Sequence, residues 1–318
     1  MNIKEEQLSH YVYSCAYPED EKSLCALEMR AFFNKESTSN VLESTIAVDP
    51  TRSPFLKERI HVMCEGENIE ELIEQVKEVE LNGETFKIIY VKNPGLAKDE
   101  KEDFEMRRTV EKEVGLHVTG EPDLDSPDRL LGVMHVNGRW IFGDYAKNEP
   151  VWLHHQNKPH SYSTSLNTRV ARAVVNIAIP NPIGIKAIDP CCGIGTVLVE
   201  AQSMGIDIVG SDRNPLIMDG ARENSAHFGF TGKIHLQDIR DVTGQYDVAI
   251  IDLPYNLCSV ITYQEQLEML QSARSFAKKV VVVTVEPIDD VLDKADFNIV
   301  DRAVAKKGQF IREVIVCE

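Results

Sequence analysis

Ile185-Lys186-Ala187-Ile188-Asp189-Pro190-Cys191-Cys192-Gly193-Ile194-Gly195-Thr196 is the stretch on which the reading of the fold turns. A short apolar run ends at an acid, passes a turn holding two glycines, and opens a second apolar segment that continues to Met204. That order is strand, tight turn, helix, with glycine where the backbone must bend sharply or approach a ligand. The rhythm repeats downstream. Ile206 to Gly210 leads to Asp212 and a helical segment from Pro215 to Phe228; Ile234 to Leu236 leads to Asp238. Val248-Ala249-Ile250-Ile251 leads to Asp252-Leu253-Pro254-Tyr255 and a helix from about Tyr263 to Ala277. A strand at Val280–Val285, a helix around Asp289–Asp296 and two strands near Ile299–Ala305 and Phe310–Cys317 close the series. Alternation with short turns predicts a mostly parallel α/β sheet covered on both faces. In such sheets ligands lie outside the carboxyl ends of the strands, which is where the four aspartates fall.

Upstream the pattern is α+β. Strands are expected over residues 8–17, Val41–Val48, Ile60–Cys64 and Phe86–Val91, with helices over Glu19–Phe33, Ile69–Val79 and Glu100–Val114. Gly132–Val136 and Arg139–Phe142 flank Asn137-Gly138, a strong hairpin signal. The proline- and asparagine-rich stretch 148–164 reads as a linker. A helix from about Ser165 to Ile179 follows, with Val170, Ala173, Val174 and Ile177 on one face and Arg169, Arg172 and Asn176 turned away from it.

The chain has 318 residues, enough for two or three domains. Its 43% apolar and 27% charged residues fit a globular protein. No apolar run approaches the ~18 residues of a membrane span, so no membrane association is expected. The polar, acidic start Met1–Glu6 does not resemble a signal peptide. Seven cysteines without a CxxC pair point to reduced thiols and a cytoplasmic protein, with no metal site assigned. The net charge of −17 is uneven: residues 1–150 hold 18 basic and 31 acidic residues (18 − 31 = −13), leaving −4 for the rest. No acid lies between Glu149 and Asp189, where Lys158, His160, Arg169 and Arg172 occur. That stretch reads either as ordinary solvated surface or as a track for a polyanion, since phosphate binding follows local fields more than net charge.

The residue types at the turns constrain the chemistry. A dinucleotide fingerprint would need a third glycine where Leu198 stands, and Asp189 would repel a pyrophosphate. Asp189 can instead accept from a cationic ligand such as the amino-acid moiety of S-adenosylmethionine. Asp212 can accept from ribose hydroxyls, or simply cap the next helix, and Asp238 from an adenine amino group, or cap a turn. Asp252-Leu253-Pro254-Tyr255 offers a carboxylate, main-chain carbonyls and an aromatic ring. Two acceptors can bind both N–H groups of an exocyclic amine, whose lone pair is delocalised into its ring, and so position it; Tyr255 can stack on an unstacked base. Cytosine-C5 chemistry needs a cysteine following a proline here, and Pro254 is followed by Tyr255.

The series Asp-x-x-Cys-Gly-x-Gly, Asp212, Asp238 and Asp-Leu-Pro-Tyr resembles the class I S-adenosylmethionine-dependent methyltransferases, and the tetrapeptide is similar to their [DN]-P-P-[YFW] motif. More narrowly, Asn137-Gly-Arg-Trp-Ile-Phe-Gly143, Lys158-Pro-His-Ser-Tyr-Ser-Thr-Ser-Leu166 and Arg169-Val-Ala-Arg172 make the chain resemble the THUMP-containing tRNA guanine-N2 methyltransferases that act at guanosine 10. The resemblance implies a ferredoxin-like domain over 1–58, a THUMP-like RNA-binding domain over 59–147, a linker over 148–164 and a Rossmann-like methyltransferase domain over 165–318 with a seven-stranded sheet. It implies formation of N2-methylguanosine in tRNA. Asp189, Pro190, Cys191, Gly193, Gly195, Thr196, Asp212, Arg213, Asp238 and Ile239 would hold S-adenosylmethionine, and Asp252, Leu253, Pro254 and Tyr255 would act on the base. It admits a small activator protein, which eukaryotic members need and archaeal ones do not. The shared tetrapeptide keeps adenine N6 or protein glutamine open as the acceptor. Leu253, where the family has proline, keeps open a non-catalytic RNA-binding module.

Overall fold

The computed structural model describes residues 9–36, 39–96, 101–162, 165–254, 261–307 and 310–318. In chain order these form β1 (Tyr11–Cys15), α1 (Lys22–Phe33), β2 (Val41–Ser44), β3 (Leu56–Gly66), α2 (Ile69–Val76), β4 (Phe86–Tyr90), α3 (Phe104–Gly115), β5 (Arg129–Val136) and β6 (Arg139–Lys147). There follow α4 (Thr168–Ala178), β7 (Lys186–Asp189), α5 (Thr196–Ser203), β8 (Asp207–Asp212), α6 (Pro215–His227), β9 (Lys233–Leu236) and β10 (Tyr246–Asp252). The last elements are α7 (Tyr263–Phe276), β11 (Ala277–Thr284), α8 (Asp289–Lys294), β12 (Ile299–Lys307) and β13 (Phe310–Cys317). Contacts divide the chain into two units, residues 1–16 with 37–149 and residues 17–36 with 150–318.

The first unit is built on one six-stranded sheet of order β2-β1-β3-β6-β5-β4. Its neighbours run antiparallel except β4 and β5. Leu72 and Val76 of α2 and Val110 and Val114 of α3 bury their side chains with Phe86, Ile88, Leu131, Val133 and Phe142 of the sheet. The β5–β6 hairpin turns at Asn137 and Gly138, both with positive φ, as the Asn-Gly pair foretells. The boundary expected at 58/59 falls inside β3, which pairs with β1 on one side and β6 on the other. One sheet therefore runs across it.

The second unit holds the seven-stranded sheet expected from the sequence, in the order β12-β13-β11-β10-β7-β8-β9. All pairings are parallel except those of β13. From β7 the chain steps outward to β8 and β9, then returns to the other side of β7 to lay down β10 and β11. The strand order reverses between β7 and β10, and Asp189 and Asp252 end those two strands. Ala249, Ile251, Val280 and Val282 are fully buried, the near-continuous apolar run that a doubly covered sheet requires.

Helix α1 belongs to this second unit, not to the N-terminal domain in which the sequence placed it. It packs on α4 and β12. Arg30 donates through Nε and Nη2 to the Asp301 carboxylate at 2.7 and 2.9 Å. The fully buried Glu28 accepts from Asn176 Nδ2 at 2.7 Å. The one-faced α4 expected from the apolar stripe is corrected for the same reason. α1 covers one side and α5, β10 and β11 the others, so every residue of α4 except Arg169 is buried. Its polar Arg172 and Asn176 meet buried acids instead of water. Lys279 of β11 donates to the carbonyls of Ile177 and Ala178, closing the C-terminus of α4. The stretch Val151–Asn157, expected as linker, is 3-10 helical and buries Trp152 and His155. Among the described residues no helix is long and apolar enough to cross a membrane.

Burying one large apolar side chain is worth roughly 1.5–3 kcal/mol, and α1 buries Leu24, Leu27, Met29, Phe32 and Phe33. Their loss, together about 7.5–15 kcal/mol, is as large as the ~5–15 kcal/mol net stability of an ordinary domain. A chain starting at residue 150 should therefore show no cooperative thermal melt by circular dichroism. Joining residues 17–36 ahead of it through a flexible linker should restore one.

Candidate active site

The ends of β7, β8 and β10 open into a cavity of about 740 Å³. Asp189, Asp212, Asp238 and Asp252 all line it, as do Pro190, Cys191, Gly193, Thr196, Arg213, Ile239, Leu253 and Pro254. The structure thus brings together nearly every residue expected there. Gly195 lies just behind the wall and shapes it: at φ 78° it caps α5, and its N–H donates to the Cys192 carbonyl. Tyr255 lies outside the described residues.

The glycine turn is held by the acids it carries and faces. Gly193 N–H donates to Asp212 Oδ2 at 3.0 Å, and Asn214 N–H to Asp212 Oδ1 at 2.9 Å. Cys191 N–H donates to Asp189 Oδ1 at 3.2 Å. Gly193 has φ 52°, a conformation that favours glycine, and a Cβ there would lie 2.6 Å from the Tyr162 hydroxyl oxygen, so the Tyr162 side chain would have to shift as well. Leu198, in the place of the third glycine of a dinucleotide motif, packs against β8 at Gly210, where a Cβ would meet Leu198 Cδ1 at only 2.4 Å. Close helix–strand packing is achieved by a glycine on the strand instead of one on the helix.

The four carboxylates are not equivalent. Burial, with Asp252 and Asp212 close by, holds the Asp189 carboxyl well above the usual carboxylate range, against the Cys191 N–H. Burial pushes Asp252 up to about 7, against the pull of the Arg312 guanidinium. Asp252 Oδ1 is buried and has no hydrogen-bond partner among the described residues. Asp238 behaves oppositely: the Arg240 guanidinium grips both of its oxygens at 2.9 Å and holds it below the usual range. The Cys191 and Cys192 thiols are raised by burial and by Asp189, so neither is a ready thiolate.

Leu253 differs from proline in a way the structure makes visible. Its side chain is buried, and its N–H donates to the Val283 carbonyl at 3.0 Å, extending the β10–β11 pairing past Asp252. Proline lacks that donor. The loop is held by a strand hydrogen bond where the family motif holds it by a fixed φ.

Two contributors escaped the sequence reading. Asn224 of α6, fully buried, donates to the carbonyls of His160 and Ile194 and accepts from the His160 N–H, tying the segment before α4 to the glycine turn. An asparagine inside a helix carries no signal of this. Arg312 opens β13, the reversed strand, so its N-terminal end lies at the carboxyl ends of the others. Only the strand order reveals that it comes near Asp252.

The expected cation track is not four free charges. Arg172 is corrected outright: it is 2% exposed and donates to Glu200 Oε2 at 2.9 Å and to Ser203 Oγ at 3.0 Å. Glu200, itself fully buried, also holds His155 Nδ1 at 2.8 Å. His160 Nε2 meets Glu223 at 2.6 Å, Arg169 pairs with Glu21, and Lys158 Nζ donates to Thr196 Oγ1 at 2.8 Å.

Residues 156–286 match a family model described as RMKL-like, methyltransferase domain (UPF0020). Over 178 residues the chain is 32% identical to a tRNA (guanine(10)-N2)-dimethyltransferase of Methanothermobacter thermautotrophicus, covering 51% of each chain. Over 215 residues it is 23% identical to the Pyrococcus abyssi protein of the same name, covering 61% of this chain and 64% of that one. The chain thus spans about half the length of the first relative and under two thirds of the second. The resemblance read from the motifs is borne out by both. Among solved structures, TrmN from Thermus thermophilus aligns over 97% of this chain and 99% of its own with a TM-score of 0.50 at 16% identity. That likeness concerns the fold, which is the class I methyltransferase fold expected from the sequence.

Two outcomes follow from the charges. Removing one partner of a buried ion pair costs about 3–5 kcal/mol, so Arg172→Ala should lower the denaturation midpoint strongly; a variant as stable as the parent would contradict the burial. A protonated Asp252 has lost acceptor capacity. Any activity needing it as an acceptor should therefore rise with pH through about 7 and level off above. A flat kcat/KM profile from pH 6 to 8.5 would exclude that role.

Proposed function

We propose that this protein transfers a methyl group from S-adenosylmethionine to the exocyclic N2 of a guanosine in tRNA, at position 10. The observation that carries this is Asp252: a buried acceptor oxygen without a partner among the described residues, at the switch point of a methyltransferase fold, facing an acid-lined cavity. The names of the two relatives support the choice of tRNA and of guanine N2. The first unit is read as the RNA-binding part, ferredoxin-like and THUMP-like, and the cytoplasm as the site of action.

The cavity fits a cation better than a phosphate. Asp189 and Asp252 are each raised by burial, and Asp189 further by its acidic neighbours, so a positive ligand would relieve both. S-adenosylmethionine, when bound, supplies a methyl group on a positively charged sulfur that departs as a neutral thioether. Asp189 would accept from the ligand's ammonium. Each oxygen of Asp212 already accepts one backbone N–H and keeps capacity for a ribose hydroxyl. Asp252 Oδ1 would accept one N–H of the target amine and a main-chain carbonyl of the Leu253-Pro254 turn the other, fixing the nitrogen for attack. When the N–C bond forms, the nitrogen must shed a proton; with its carboxyl near 7, Asp252 is matched to take it.

Purified protein given labelled cofactor and unmodified tRNA should yield N2-methylguanosine on nucleoside mass spectrometry. Asp252→Ala should lower transfer by at least ~100-fold, the lower range for a lost acid–base group, while cofactor affinity stays within a few-fold. Labelled DNA or protein with unlabelled tRNA would overturn the substrate; equal loss of transfer and cofactor binding would overturn the role of Asp252.

A further inference from the structure

Beside the candidate active site lies a second cavity of about 610 Å³. Tyr162, Ser165 and Leu166 line both, so the two adjoin. Its walls come from the 3-10 stretch through Trp152, from Lys158, from Thr168 and Arg169 at the start of α4, and from Lys306 near the end of β12.

The charges in this second cavity are unevenly satisfied. Arg169 is taken up by Glu21, Nε to Oε2 at 2.6 Å. Lys306 is exposed, and its side chain has neither a hydrogen bond nor an ion pair among the described residues. Lys158 is half-buried, is bonded to a hydroxyl, and has no carboxylate in ion-pair contact among the described residues. Asp20 on the rim is the acid left over, one against two ammonium groups. The first turn of α4 carries no acid; the Asn167 side chain accepts from the Val170 N–H, and the positive end of the helix dipole still favours an anion. An independent sign comes from Trp152, which is 6% exposed: its buried indole Nε1 finds no acceptor among the described residues. A covered donor in that state is costly unless something accepts from it.

We propose that this cavity is a phosphate subsite, which takes the phosphodiester adjoining the base that enters the cavity of Asp252. The proposal rests on the nucleic-acid reading above. Indole N–H, two ammonium groups and a helix N-terminus are all donors, the complement of a phosphate's oxygens. Because the two cavities share a wall, a polynucleotide with its base in one has the other within reach of its backbone. A free anion would make no use of that continuity. Lys158 would link the two sites, since its partner Thr196, which opens α5, lines the first cavity.

Lys306→Gln tests this without disturbing the fold, since the Lys306 side chain has no partner to lose among the described residues. Binding of unmodified tRNA, measured across a salt series, should weaken about 3–10-fold in the variant, and the salt slope should fall by about one. Calorimetry with S-adenosylmethionine should be unchanged. Trp152→Phe should weaken tRNA binding with a smaller change in slope, because it removes a donor and no charge; its thermal melt shows whether it is folded. Unchanged tRNA affinity and slope in Lys306→Gln overturn the subsite. So does a Lys306-dependent response to inorganic phosphate alone with tRNA affinity unaffected, which would mark a free-anion site. N2-methylguanosine formation by the parent protein is scored separately. Product together with Lys306-independent binding sinks the subsite alone, and Lys306-dependent RNA binding without product sinks the transfer reading alone.

Discussion

Crowding of carboxylates at the end of a parallel sheet is the constraint on which the second unit depends. Strands β7, β8 and β10 deliver Asp189, Asp212 and Asp252 to one cavity, where burial and mutual repulsion oppose ionisation of the first and burial that of the last. Around them the chain spends its nearby donors. The N–H groups of Cys191, Gly193 and Asn214 go to Asp189 and Asp212, and Arg312 draws on Asp252. A cation entering the cavity acts on the whole set at once. Its positive charge would favour the ionised form of each raised group.

The chain path adds a second constraint. Residues 17–36 enter the second unit before the chain leaves to form most of the first, and residues 150–318 return to it. The contacts that fix α1 consequently span most of the sequence; Arg30 and Asp301 are 271 positions apart. Non-local closure of this kind costs chain entropy before it yields packing, which slows folding. The buried pairs at Glu28 and Glu200 hold α4 between α1 and α5, at the price of desolvating several polar side chains.

Much of this was legible in the sequence. Each strand of the second sheet lies within a few residues of its apolar run, because a doubly covered strand has no other way to be written. The acids at the strand ends were legible too, since the turn following a strand fixes where its last polar side chain can go. What escaped was set by the partner rather than by the segment. Arg172 and Asn176 look like the wet side of an amphipathic helix, and only the presence of α1 and Glu200 makes them interior. Asn224 and Arg312 come to the site through helix packing and a reversed strand, neither encoded in local pattern. The 58/59 boundary falls inside β3, which continues a sheet whose other strands lie far away in sequence.

Leu253 leaves one consequence of a different kind. Where the family motif has an imino acid, this chain has an exchangeable amide proton, next to Asp252 and bonded to the Val283 carbonyl. Hydrogen exchange at that one amide reports how often the end of β10 detaches from β11. The opening frequency of the loop can thus be timed in solution, with and without ligand, by a probe built into the backbone that a prolyl loop cannot offer.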